Sequence, residues 1–326
     1  MNKQDESYKS FLDEIRRLTA EKLGGEYTVS LASTLKNNSV MLDSINISKD
    51  SEAIMPCIYL DDYFREYLQG RPAEDIAGDV VLTYFDNKDR IDMSMIGDCS
   101  FEDMKEKIFL KLVNRKMNGK LLEQMPHVDD GDFAIIFACL VEHEKSLVSS
   151  IRIDNQVAAK WNTDAEELLS IAMENTVRLF PPRVFEMNCE NLFRLFKHEE
   201  LGDNLTDIFE QDTSETDNTE KTGKEDENDP PRLYVLTNRY MINGAGCLTY
   251  EGLLERIYRK LGSGFYIIPS SVHEVLILPD DPRFDEDSLK SMVNDVNTTV
   301  VSDMEILSYE VYHYPGYEFV PSRAIA

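Results

Sequence analysis

The chain has 326 residues, room for two domains or one large one with a substantial core, and 61 acids against 34 bases give it a formal charge of −27. Such a surface repels polyanions, which argues against sequence-independent binding to nucleic acid or anionic lipid. The five cysteines, Cys57, Cys99, Cys139, Cys189 and Cys247, are odd in number and far apart, the pattern of a reduced interior; none form the close pairs a metal needs.

Along the chain, Phe11, Leu12, Ile15, Leu18 and Leu23 fall near helical spacing over residues 5–23, and Gly24-Gly25 supplies the stop. Residues 28–35 and 40–47 have strand composition, and Asn37-Asn38 between them tolerates a left-handed backbone, so a hairpin is expected. A short extended piece at 57–60 precedes two helices, the first capped by Asp61 and the second opened by Pro72. Residues 108–113 form a strand and 118–125 a helical turn or two. The apolar run 133–141 and the alternating segment 147–153 make a second hairpin, turned at 142–145. Thr163 with Glu166 is the pattern of a capping box for a helix that Pro181-Pro182 ends.

Residues 211–229 hold no aliphatic or aromatic side chain and eight acids against two lysines. A segment without apolar surface cannot offset the roughly 1–2 kcal/mol per residue that ordering a backbone costs. The expected organisation is therefore an N-terminal α+β block at 1–198, an acidic disordered linker or insertion at 199–230, and a C-terminal α+β block at 231–326 packed on the first. In the last block, 233–236 is a strand, Asn243-Gly-Ala-Gly246 a bend and Thr249 the start of a helix that Gly262 closes. A hairpin of 265–268 with 272–278, a helix through Leu289 and Val296, and a strand at 306–314 complete it. The fold class is α+β, helices on mostly antiparallel hairpin sheets. The order helix, Lys-Leu-Gly, strand, turn, strand occurs at Leu23 and again at Leu261, either a duplicated α-β-β unit or the common need for a glycine exit before a hairpin.

Several groups bear on chemistry. Ser270, Ser271, His273 and Glu274 gather serine, imidazole and carboxylate, the components of an acyl-transfer site; on a strand, however, adjacent His273 and Glu274 would point to opposite faces, and no Gly-x-Ser-x-Gly elbow is present. His127 with Asp129, Asp130 and Asp132 offers ligands to a divalent ion in a loop that lacks the terminal glutamate of a calcium site. The 243–246 bend could place backbone donors for an anion at a helix start and lower the Cys247 pKa, but it lacks the phosphate-loop lysine. Asp61-Asp62 and Asp280-Asp281 fit a cap and a solvated turn. The basic window 105–120 is diluted by nearby acids, Asp98 and Glu102 among them. No cofactor or metal is expected. With the longest apolar run half a membrane span and no secretory signal core at the amino terminus, a soluble cytoplasmic protein is expected.

Leu236-Thr-Asn238, Ile242-Asn-Gly-Ala245, the 253–262 helix, residues 267–275, Leu112-Val-Asn114, Leu121-Leu122 and Pro126-His127 through Val141 resemble an uncharacterised domain-of-unknown-function family of anaerobic gut Firmicutes. A more distant similarity in element order is to the YtpQ-like uncharacterised proteins. Neither carries an established activity. The resemblance implies a bacterial cytoplasmic protein in which the acidic stretch is an excursion from one composite fold, and it marks Asn238, Ser271, His273, Glu274 and His127 as the candidate positions. The leading expectation is a non-enzymatic module that binds a protein partner, with Tyr309, Tyr312, Tyr314, Tyr317 and Phe319 as surface aromatics. The alternatives are a hydrolase centred on His273 or His127 and an acidic nucleic-acid mimic.

Overall fold

The computed structural model of the protein describes residues 6–49, 57–87, 99–144, 147–187, 194–195, 205–209 and 231–316. They divide between two compact units, Met1–Ser100 and Phe101–Ala326, and the fold is α+β with mostly antiparallel sheets.

In the first unit, helix α1 (Glu6–Leu23) buries Tyr8, Phe11, Ile15 and Leu18, one stripe of a 3.6-residue repeat, and Gly24 leaves the helix at φ +79°. Strands β1 (Tyr27–Leu35) and β2 (Met41–Lys49) pair antiparallel from Tyr27↔Lys49 to Leu35↔Met41. Asn38 (φ +57°) and Ser39 (φ +59°) make the left-handed turn that the asparagine pair anticipates. Strand β3 (Cys57–Tyr59) adds to β2, and helices α2 (Asp61–Leu68) and α3 (Ala73–Asn87) follow. Phe64, Ile76, Val80 and Tyr84 join the α1 stripe and Ile45 and Ile47 of β2 in one core, where the Phe11 and Phe64 ring centroids lie 5.1 Å apart. Arg71 ties α2 to α3 through Glu66 and Asp79. Asp61 is not the cap of α2: Leu60 holds that position, and Asp61 sits in the first turn.

The second unit holds two sheets. One has the order β4 (Ile108–Asn114), β6 (Phe133–Glu144), β5 (His127–Asp130), with β7 (Leu147–Arg152) also on β6. Helix α4 (Asn155–Trp161) leads to α5 (Ala165–Leu179), which lies against β4. The other sheet runs β12 (Tyr312–Tyr314), β10 (Phe265–Ile268), β11 (Val275–Pro279), β9 (Leu233–Asn238), β8 (Pro182–Met187). Helix α6 (Leu253–Leu261) precedes β10, and Leu289 and Val293 of α7 (Glu286–Thr299) pack on Phe185, Val235 and Leu276 of this sheet. Within the 199–230 segment expected as linker or insertion, Ile208 is buried and its N–H bonds to Val184 O at 2.8 Å. Residues 211–229 lie outside the described residues.

Several boundaries differ from the sequence reading. Asp164, not Thr163, caps α5, accepting from Glu166 N and Glu167 N; Thr163 Oγ1 instead donates to Glu167 Oε2 at 2.8 Å. Residues 142–144 continue β6 rather than turning. Thr249 ends a 3₁₀ segment, and α6 starts four residues later. β11 begins at Val275, so Val272, His273 and Glu274 belong to a loop, while β12 is confined to three residues. Both Lys-Leu-Gly segments fold as helix, left-handed glycine and antiparallel hairpin, but β1 edges its sheet whereas β10 lies between β12 and β11.

Candidate functional site: a polar knot between two loops

Strand β9 delivers Thr237 and Asn238 to its end, where the chain turns through Met241 (φ +56°) and Asn243 (φ +53°). Asn238 closes this turn on itself: its Oδ1 accepts from Tyr240 N at 2.9 Å and its Nδ2 donates to Ile242 O at 2.7 Å. Beside it, the β10–β11 loop is held by Ser271, which bridges to Ile306, and by Val272 N, which donates to Glu305 O at 2.8 Å. The His273 carbonyl then receives Thr237 Oγ1 at 2.8 Å and Gly244 N at 3.0 Å, and Ala245 N reaches Val272 O at 3.2 Å. The two loops are stitched by backbone.

The side chains follow that frame. Ser271 Oγ donates to Glu274 Oε1 at 2.5 Å and accepts from His273 N at 2.9 Å, with Ser271 and Glu274 both buried. The His273 ring faces the other way, its Nδ1 accepting from Asn243 N at 3.2 Å and its Nε2 lying 3.6 Å from Glu305 Oε1. An acceptor role at Nδ1 places the proton of the neutral ring on Nε2. A serine nucleophile needs the imidazole on its hydroxyl. Here the hydroxyl meets a carboxylate and a backbone N–H, and the imidazole meets the neighbouring loop. Glu274 turns back onto Ser271 because residues 272–274 form a loop ahead of β11, so strand alternation does not set its direction.

Gly244 is required by close approach: a Cβ there would lie 2.1 Å from Thr237 Oγ1 and 2.4 Å from His273 O. Its N–H and that of Ala245 are taken by the partner loop, so the bend presents no donors to an anion. Cys247, buried behind it, donates to Thr237 O at 3.3 Å, and burial pushes its thiol up to about 12, opposite to the lowering that a helix start would cause.

His127 lies in the other sheet, on β5 opposite Ile136, with Nδ1 3.0 Å from Met125 O and Nε2 3.8 Å from Asp129 Oδ1. Asp129 also faces Arg115 at 3.5 Å, and Asp132 accepts from Tyr312 OH at 2.8 Å. Among the described residues no group of three or more His, Cys, Asp or Glu is placed to hold a metal ion. Thus Ser271, His273, Glu274 and the Asn238 turn come together, and His127 keeps a separate set of partners. Thr237 and Glu305 are members of the knot that sequence reading missed. Thr237 stands directly before Asn238, and its contact with residue 273 follows from the β9–β11 pairing Leu236↔Val275. No local signal marks Glu305.

These features define an α+β protein with a well-bonded polar junction in its larger sheet unit. Residues 8–315 match a family of unknown function, DUF5688, and the chain belongs to that family. Neither the curated proteins nor the solved structures provide a match to it. No helix among the described residues is long and apolar enough to cross a membrane.

Proposed function

We propose that the protein acts by binding another protein in a bacterial cytoplasm rather than by turning over a substrate. The observation that carries this reading is the Ser271–Glu274 bond with the His273 ring turned toward Asn243 and Glu305, which commits the polar groups to joining loops. Exposed apolar side chains support a binding role: Leu68 on α2 and Leu82 on α3 are each 62% exposed, and Phe85, one turn after Leu82, is 42% exposed. Of the terminal aromatics, Tyr309 is exposed, Tyr314 is buried against Phe265 at a 5.0 Å centroid distance, and Tyr317 and Phe319 lie outside the described residues.

The test is affinity capture of a partner from the native host with three proteins of equal fold by circular dichroism: wild type, Leu82→Asp/Phe85→Asp, and His273→Ala. The reading expects one partner retained by wild type and by His273→Ala and lost by the α3 variant. A hydrolytic activity that disappears in His273→Ala would overturn it.

A further inference from the structure

Strand β1 is the long sheet edge that the described residues leave without a strand on its outer side. Unpaired edges of this kind template association, and proteins usually shorten, charge or cover them. The edges β4, β8, β3 and β12 conform. On β4, Leu110 N donates to Thr176 Oγ1 at 3.0 Å and Ile108 O accepts from Asn175 Nδ2 at 3.0 Å, so a helix covers that edge. On β8, Ile208 N takes Val184 O and Asp207 bridges Phe185. β3 and β12 are three residues long. β1 has nine residues, Tyr-Thr-Val-Ser-Leu-Ala-Ser-Thr-Leu, with no charge and no proline, and none of them is fully buried.

Its register favours one occupant. Lys36 N donates to Val40 O across the hairpin at 2.8 Å, and Asp43, opposite Ser33, gives its carbonyl to Leu60 N on the far side of β2 at 2.9 Å. Antiparallel alternation then directs the N–H and C=O of Val29, Leu31 and Ser33 away from β2. If a second β1 runs antiparallel about a twofold axis at Leu31, Leu31 faces Leu31 and Val29 faces Ser33, outward groups meeting outward groups. In the same register Thr28 faces Thr34, Ser30 faces Ala32, and the charges that bracket the strand, Glu26 and Lys36, face each other across the copies. Each charge has a neighbour in its own chain, Lys49 Nζ 2.7 Å from Glu26 and the Tyr59 ring 4.4 Å from Lys36, so the cross-copy pair is a rim contact. A strand of another sequence would have no reason to match those two ends.

We propose that β1 is a homodimerisation edge, two copies pairing it antiparallel about Leu31 to join their three-stranded sheets into one. This goes beyond the partner-binding reading and does not depend on it.

The experiment is light scattering of the full chain after size exclusion, over a dilution series, with three variants. Wild type is expected to be a dimer. Ser33→Pro removes an outward N–H while sparing the β1–β2 ladder, and is expected to be monomeric. Lys36→Glu is expected to weaken the dimer about fivefold, the scale of two exposed ion pairs, and Glu26→Lys/Lys36→Glu to restore it. A monomeric wild type overturns the proposal, as does a Ser33→Pro dimer. Should Ser33→Pro unfold, the charge series decides: a dimer indifferent to Lys36→Glu, or one that the double reversal fails to rescue, also overturns it.

Discussion

At Gly244 two loops approach so closely that a methyl group would overlap both Thr237 Oγ1 and the His273 carbonyl, and neither neighbour is the far end of a flexible side chain. Gly244→Ala is expected to lower stability by about 2–3 kcal/mol, the scale of overpacking in a close-packed site; chemical denaturation measures it, and a change within error would show that the loops can part. The sequence placed Ser271, His273 and Glu274 together because they are neighbours in the chain. It could not place Thr237 or Glu305, because those residues arrive through strand pairing and through a bridge from the segment before β12. The reversal at Cys247 has the same origin: composition reveals a thiol near glycines, whereas its acidity depends on how completely the fold removes water from it.

At the level of elements, α5 guards β4 with two polar side chains on its buried face. Thr176→Val keeps shape but leaves Leu110 N without its acceptor, so a loss of about 1–3 kcal/mol is expected, read by thermal or denaturant unfolding. Thr176→Ser should retain most of the stability. Long periodic or composition-marked elements were legible: α1 with its glycine exit, the β1–β2 hairpin and the buried β6 run. Shorter ones escaped. β5 replaces the loop expected around Asp129, although Gly131-Asp132 between β5 and β6 is a glycine-first two-residue hairpin turn, with Gly131 at φ +59°. β8 was masked by Pro182, which is acceptable at the start of an edge strand, and α4 by its length of seven residues.

For the whole molecule, composition drew attention to the acidic stretch, while the chain divides into its two compact units between Ser100 and Phe101, where nothing in the composition changes abruptly. β8 and β9 stand on either side of that stretch and pair over six positions, Pro182↔Asn238 to Met187↔Leu233. Protease cleavage within 211–229 is therefore expected to leave both fragments co-eluting in native buffer and to separate them only in denaturant; fragments that part without denaturant would contradict the pairing.

The last of those pairs, Met187↔Leu233, brings the excursion back to its point of departure. A chain whose ends are fixed side by side can change contour without disturbing the sheet, since doubling a flexible closure costs only about 0.6 kcal/mol. Grafts or deletions confined to 211–229 should thus leave melting behaviour nearly untouched, making this the natural place to carry a reporter or an affinity tag.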